Sequence, residues 1–455
     1  MNETRTLAKF FAGLKYEDLP PEVVAEAKLA LLDHFAVGLF ASRLEWSNIV
    51  CELAREANSK EESTVWGYSF KVTAQDAALV NGTAAHGIEM DDRGPGGHQG
   101  SMTISAVMAA AEKAKADGKT LITGVVAGYE LPFRLRKGMK EVREGIHGGA
   151  NGIWGAVLGA SKALGLDEEH TLNACGIAGS MASSLWEFAE DPMNTMVKRL
   201  HMGWAAHGGV MAALLGAKGL TGPRTVLEGK YGYCNVFAKD PSVIDFAELT
   251  RDLGGHFRIL DREVKVYASW GGSHDSISTV RELKAEHNID PEQIEKIEVG
   301  ASRMTINKHE MREPQSIMAA QYSLPFLTAM AYYYDLADPS VWTEGVLRDE
   351  RVLHLSQLVE WYVDEERDKL SQKSRWYEGV KHTVTLKNGK ILQGECERHS
   401  GSSQGNPMTP DEVRNKFRLL AGYILPVDRV GQLLEMVDSL EAVSDVRKLG
   451  ELLQV

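Results

Sequence analysis

Trp204-Ala-Ala-His-Gly-Gly-Val-Met-Ala-Ala-Leu-Leu-Gly-Ala217 decides the fold of this chain, because alanine and glycine dominate it and no proline interrupts it. Small side chains at helical spacing let helices approach closely, so the segment reads as a helix inside a bundle rather than on its surface. Ala106 to Ala114 and Ile153 to Leu164 share this character. Nearer the N-terminus, Val23-Val-Ala-Glu-Ala-Lys-Leu-Ala-Leu-Leu-Asp33 sets apolar residues on one stripe. It follows Leu19-Pro-Pro-Glu22, where proline suits a first helical turn. The pattern stays helical from about Leu7 to Ala217 and predicts an all-α core.

Beyond Arg262 the period changes. Ile294-Glu-Lys-Ile-Glu-Val299 alternates like a half-buried strand, and Lys381-His-Thr-Val-Thr-Leu-Lys-Asn-Gly-Lys-Ile-Leu392 reads as a hairpin about Asn388-Gly389. Helical segments from Asp275 to Glu286 and from Gln321 to Asp335 lie between them. The expectation is a mainly α protein with two domains. Residues 1–262 with 404–455 form a large all-helical domain, and 263–403 form a smaller inserted α+β lid. The turn-rich Gly401-Ser-Ser-Gln-Gly-Asn-Pro-Met-Thr-Pro410 marks the return to helix.

Composition narrows the function. With 455 residues, 44% hydrophobic and 25% charged, the chain can bury more than one core. A net charge of -13 excludes nucleic acid as the expected partner, since phosphate binding needs a basic surface. A carboxylate ligand would therefore need a local cluster of Lys and Arg acting against the overall field. Cys51, Cys175, Cys234 and Cys396 are too far apart for a zinc knuckle or an iron–sulfur cluster and read as free thiols. No apolar run approaches the roughly 20 residues of a membrane helix, and Met1-Asn-Glu-Thr-Arg5 does not open a signal peptide. The expectation is a cytoplasmic protein with no membrane partner.

The chemistry lies in four segments. Asn81 to His98 crowds His86, Glu89, Asp91, Asp92, Arg93 and His98 against a glycine-rich turn, and carboxylates among imidazoles shift one another's pKa values. Glu144-Gly-Ile-His-Gly-Gly149 puts His147 ahead of a helix whose N-terminus favours an anion. Lys198 and His201 share a helix face by spacing, and an ammonium among apolar residues needs an anionic partner. Lys265 lies in Arg262 to Asp275, a strand-like entry to a glycine turn at the domain boundary. The set suits removal of a proton next to a carboxylate, where cations neutralise the enediolate and an acid–base pair moves protons. A metal-dependent hydrolase using His86, His98 and the aspartates is the competing reading. It lacks a compact ligand motif such as His-Glu-x-x-His, so no metal is expected.

These residues resemble the MmgE/PrpD family over almost the whole chain. The resemblance is carried by Leu19-Pro-Pro-Glu-Val with Leu32-Asp33, Asn81-Gly-Thr-Ala-Ala-His86 leading to Asp91-Asp92, Gly145-Ile-His147 and Lys198-Arg-Leu-His201. Gly219-Leu-Thr-Gly-Pro223, Lys265-Val-Tyr-Ala-Ser269, Gln321-Tyr-Ser-Leu-Pro325 and Asn406-Pro-Met-Thr409 continue it. It implies a homodimeric, cofactor-independent lyase acting on a small di- or tricarboxylic acid, foremost a 2-methylcitrate-type dehydratase. An epimerase of an iminodisuccinate-like acid is the alternative, and a cis-aconitate-type decarboxylase a further one. By motif, Asp91, His98, His147, Lys198 and Lys265 are the implied catalytic residues, and Glu89, Arg93, His201, Trp270 and Phe326 bind substrate. The family often has Asp-aromatic-Asp-Asp-Thr where Glu89-Met-Asp-Asp-Arg93 stands, and His-Pro where His98-Gln99 stands. Arg93 offers a bidentate carboxylate donor in place of a small hydroxyl. Trp270 and Phe326 replace a His and a Tyr of the decarboxylase relatives, which places decarboxylation behind the other two activities.

Overall fold

The computed structural model describes residues 2–191, 195–306, 310–374, 379–403 and 405–455. Gln404 of the turn-rich return lies outside them. The chain divides into two compact units: Met1–Phe188, Met196–Glu263 and Thr409–Val455 form the first, and Ala189–Thr195 with Val264–Met408 the second.

The first unit is a helical bundle around the segments of small residues. Helices Ala74–Ala85, Gln99–Ala114, Gly118–Met139, Gly149–Ala163 and Val197–Ala217 pack on one another. Two crossings show why glycine is needed. A methyl group at Gly203 would sit 2.3 Å from the Leu79 carbonyl, and one at Gly82 would sit 2.9 Å from the Gly203 Cα. Helices Gly118–Met139 and Gly149–Ala163 meet in the same way, where a methyl at Gly155 would lie 2.5 Å from the Gly128 carbonyl. That carbonyl has no helical N–H to accept, because Pro132 stands four residues on. Thr103 Oγ1 donates to it instead at 3.4 Å.

The all-helical expectation needs one correction. Strands β1 (Ser63–Thr64) and β2 (Lys71–Val72) form an antiparallel hairpin in the first unit. With two paired residues per strand it leaves no alternation to read.

In the second unit, β3 (Ile294–Ala301), β4 (Val359–Val363), β5 (Val380–Leu386) and β6 (Ile391–Cys396) form one sheet in the order β4-β3-β5-β6. The β5–β6 hairpin turns at Gly389, whose φ of 82° suits glycine. Strand β4 is parallel to β3, so the long helical connection between them is topologically required. Helix His274–His287 covers β5 and β6, and Leu324–Tyr333 packs beside it and on β4. All four cysteines are buried free thiols. Among the described residues, no helix is long and apolar enough to cross a membrane.

Candidate active site

In the first unit, three helix ends assemble the reactive groups. Helix Ala74–Ala85 stops at His86, and helix Gln99–Ala114 begins directly after His98. The loop between them is pinned at both sides of Asp91. Lys416, from helix Pro410–Ala421, donates to the Met90 carbonyl at 2.7 Å and to Asp33 Oδ1 at 2.6 Å. Asp92 Oδ1 accepts the Gly100 N–H at 2.8 Å, a carboxylate at the positive end of a helix, and Tyr129 donates to its other oxygen. Burial pushes Asp92 up to about 6 against the nearby Arg262 guanidinium, with Asp33 adding to the rise.

Asp91 sits at the centre. Its Oδ2 is 2.8 Å from His86 Nδ1, 3.2 Å from His98 Nδ1 and 2.5 Å from the Ser101 hydroxyl that donates to it. Its Oδ1 has no hydrogen-bond partner among the described residues. Burial opposes ionisation of Asp91, but the His86 and His98 imidazoles outweigh it and hold the carboxyl well below the usual range. His86 is fully buried, and burial, with Lys198 and His98 adding, keeps its ring neutral well below the ordinary histidine range.

Lys198 opens helix Val197–Ala217 and lies 3.0 Å from His86 Nε2. It also donates to Glu89, as does Arg199. One buried carboxylate therefore faces two buried cations, at a residue whose φ of 57° lies in the left-handed region. One turn along, His201 Nδ1 meets His147 Nδ1 at 3.0 Å. The His147 ring lies about 5.0 Å from Trp186, Phe188 and His201. Burial first, then Lys198 and His201, hold His147 well below the usual range, and His201 is lowered to about 4 by burial and Lys198. A cavity of about 430 Å³ opens beside His147, lined also by Pro95, Gly97, Arg143, Asn151 and Trp186.

Asp91, His98, His147, Lys198, His201 and Glu89 all belong to the first unit. Arg93 is held differently from a carboxylate clamp: its Nε donates to Glu263 Oε2 at 2.8 Å, and the two backbones pair in both directions. Sequence reasoning missed Ser101 and Arg199, and gave His86 only a metal-binding part. The i+5 spacing from His86 to Asp91 was the available signal.

Lys265, Trp270 and Phe326 belong to the second unit. Lys265 and Phe326 are buried there. Gln321 joins the two motifs that carry these residues, donating from its side chain to the Ala268 carbonyl at 3.0 Å and accepting the Trp270 N–H at 2.8 Å.

Ligand atoms of His86, Asp91 and His98 fall within 4.8 Å of one another, close enough for a divalent cation. Two features fit hydrogen bonding better. The 2.8 Å contact of His86 with Asp91 is a hydrogen bond, and the Lys198 ammonium beside His86 would repel a dication.

A buried and a partly buried imidazole beside a buried aspartate, with a lysine behind them, form a compact cluster of titratable groups on a helical scaffold. The chain belongs to the MmgE/PrpD family: residues 5–244 match its N-terminal domain and 267–442 its C-terminal domain. Among curated relatives, it is 27% identical to the cis-aconitate decarboxylase-like protein oryM of Aspergillus oryzae, covering 98% of this chain and 96% of that protein. It is 27% identical to a cis-aconitate decarboxylase of Aspergillus terreus, covering 99% and 95%. The cis-aconitate decarboxylase of Mus musculus is likewise 27% identical, over 99% and 93%.

Proposed function

We propose that this chain is a lyase that moves a proton at the carbon next to a carboxylate of a small di- or tricarboxylic acid, with dehydration of a 2-methylcitrate-type acid as the leading reaction. The observation that carries this reading is the opposed environment of two histidines. His147 is kept neutral by burial and neighbouring cations, which suits a base. His98 Nδ1 lies 3.2 Å from the Asp91 carboxylate, and in this reading it has the part of the acid. In this scheme His147 takes the alpha proton, His98 protonates the departing hydroxyl, and Lys198 offsets the charge of the enediolate. Asp91, held at Oδ2 by His86 and Ser101, has the part of a fixed charge beside His98 in this reading. The cavity beside His147 has the size of a small-ligand site. Lys265 enters as a second cation, and Trp270 and Phe326 as specificity residues, on their sequence motifs alone. A homodimer and a cytoplasmic setting belong to the same reading.

Decarboxylation is the second reading, favoured by the names of the relatives. Trp270 and Phe326, where the family resemblance implies a His and a Tyr for decarboxylation, weigh against it. Incubation with 2-methylcitrate, citrate and cis-aconitate in D2O separates the outcomes. Dehydration gives alkene absorbance, decarboxylation gives CO2, and deuterium uptake without either marks an epimerase. H147Q and H98Q should each lower kcat by roughly a hundredfold or more. Absence of all three signals from every acid would remove this substrate class.

A further inference from the structure

We infer that His86 is a fixed, uncharged coupler that holds Lys198 and Asp91 in register and thereby positions His98. Its part in turnover rests on the acid–base reading above, whereas its geometry stands apart from it. The argument is one of donors and acceptors. The Lys198 ammonium has only protons to give, and it lies 3.0 Å from His86 Nε2. The ionised Asp91 carboxylate can only accept, and it lies 2.8 Å from His86 Nδ1. One imidazole satisfies both neighbours in a single form, neutral with its proton on Nδ1. The opposite tautomer sets N–H against ammonium and a lone pair against carboxylate, and an imidazolium keeps the first of these clashes.

The rest of the surroundings agree with that assignment. The ring is fully buried, its edge meets the His98 ring at 4.5 Å between centroids, and its backbone carbonyl accepts from Arg199 at 3.2 Å. Glu89 balances the cationic pair Lys198 and Arg199 from the other side. His86 therefore stands between Lys198 and Asp91, so Asp91 is left to serve His98 and Ser101 while Lys198 stays in place through a neutral ring. The same Asp91 oxygen lies 3.2 Å from His98 Nδ1, so fixing the carboxylate also fixes the charge that His98 faces. His86 is a positioning residue in this arrangement, acting through its hydrogen bond to Asp91.

The test uses the full chain labelled with 15N-histidine, its side-chain nitrogen resonances followed between about pH 5 and pH 9, with H86N supplying the assignment. One histidine should show the neutral Nδ1–H form at every pH and vanish in H86N. A His86 found in the Nε2–H form, or converting to imidazolium within that range, overturns the proposal whether or not a substrate is known. With a turned-over polycarboxylate, H86Q, which loses the donor to Asp91, should lower kcat at least tenfold with KM changed by less than about threefold. Unchanged kcat would end the positioning role. If no polycarboxylate reacts, the functional reading fails, and the resonances still decide the tautomer.

Discussion

Glu112 shows how one buried group can set a pH response far from the reactive loop. It accepts from the Thr64 N–H at 2.9 Å and the Thr64 hydroxyl at 2.6 Å, and burial pushes its carboxyl up to about 7 from 4.5. A folded pKa raised above the unfolded one means that the unfolded chain holds fewer protons between these values. Stability from this group is therefore complete below pH 4.5 and is lost as pH rises through 7. At about 1.4 kcal/mol per unit, the loss is roughly 3 kcal/mol. E112Q should gain on the parent by about that amount between pH 4.5 and pH 8 in urea unfolding, and an equal difference at both pH values would contradict the assignment. The crowding of His and Asp between His86 and His98 was legible from sequence as a candidate site, since such a cluster is unusual for packing alone. The hydrogen-bond directions were not. Which nitrogen of His86 faces Asp91 depends on Lys198, and the pairing of Arg93 with Glu263 joins residues 170 positions apart.

At the scale of elements, the glycine crossing is what brings His86 and Lys198 within reach. His86 ends helix Ala74–Ala85 and Lys198 begins helix Val197–Ala217, and these two helices touch at Gly82 and Gly203. The atoms a methyl group would meet at Gly203 include the Leu79 carbonyl and the Thr83 backbone N–H at 2.9 Å, which cannot swing aside as a side chain would. G203A should therefore cost about 1–3 kcal/mol by overpacking and separate the pair. Calorimetry would read the first effect, and kcat the second. If G203A is as stable and active as the parent, the crossing does not set the site. Helices rich in small residues, and strands β3, β5 and β6, were legible because their periodicity runs over whole turns or several alternations. The β1–β2 hairpin was hidden by its two-residue strands.

For the whole molecule, the decisive contact is Lys416, which reaches Asp33 across a sequence separation of 383 residues. K416M would leave Asp33 buried without this ion pair and the Met90 carbonyl without its donor, at a cost of about 3–5 kcal/mol. Chemical denaturation measures that loss, and a change below 1 kcal/mol would show that Arg262, whose Nη1 is 3.5 Å from Asp33, carries the balance by itself. The resumption of helix after the turn-rich stretch near Gly401 was legible in the sequence, but the lysine clasp on the loop before Asp91 was not. That clasp has a consequence for biosynthesis. A ribosome releases Asp33 and Met90 more than three hundred residues before Lys416 emerges, so over that stretch of synthesis the nascent chain holds a buried-to-be carboxylate without its latch.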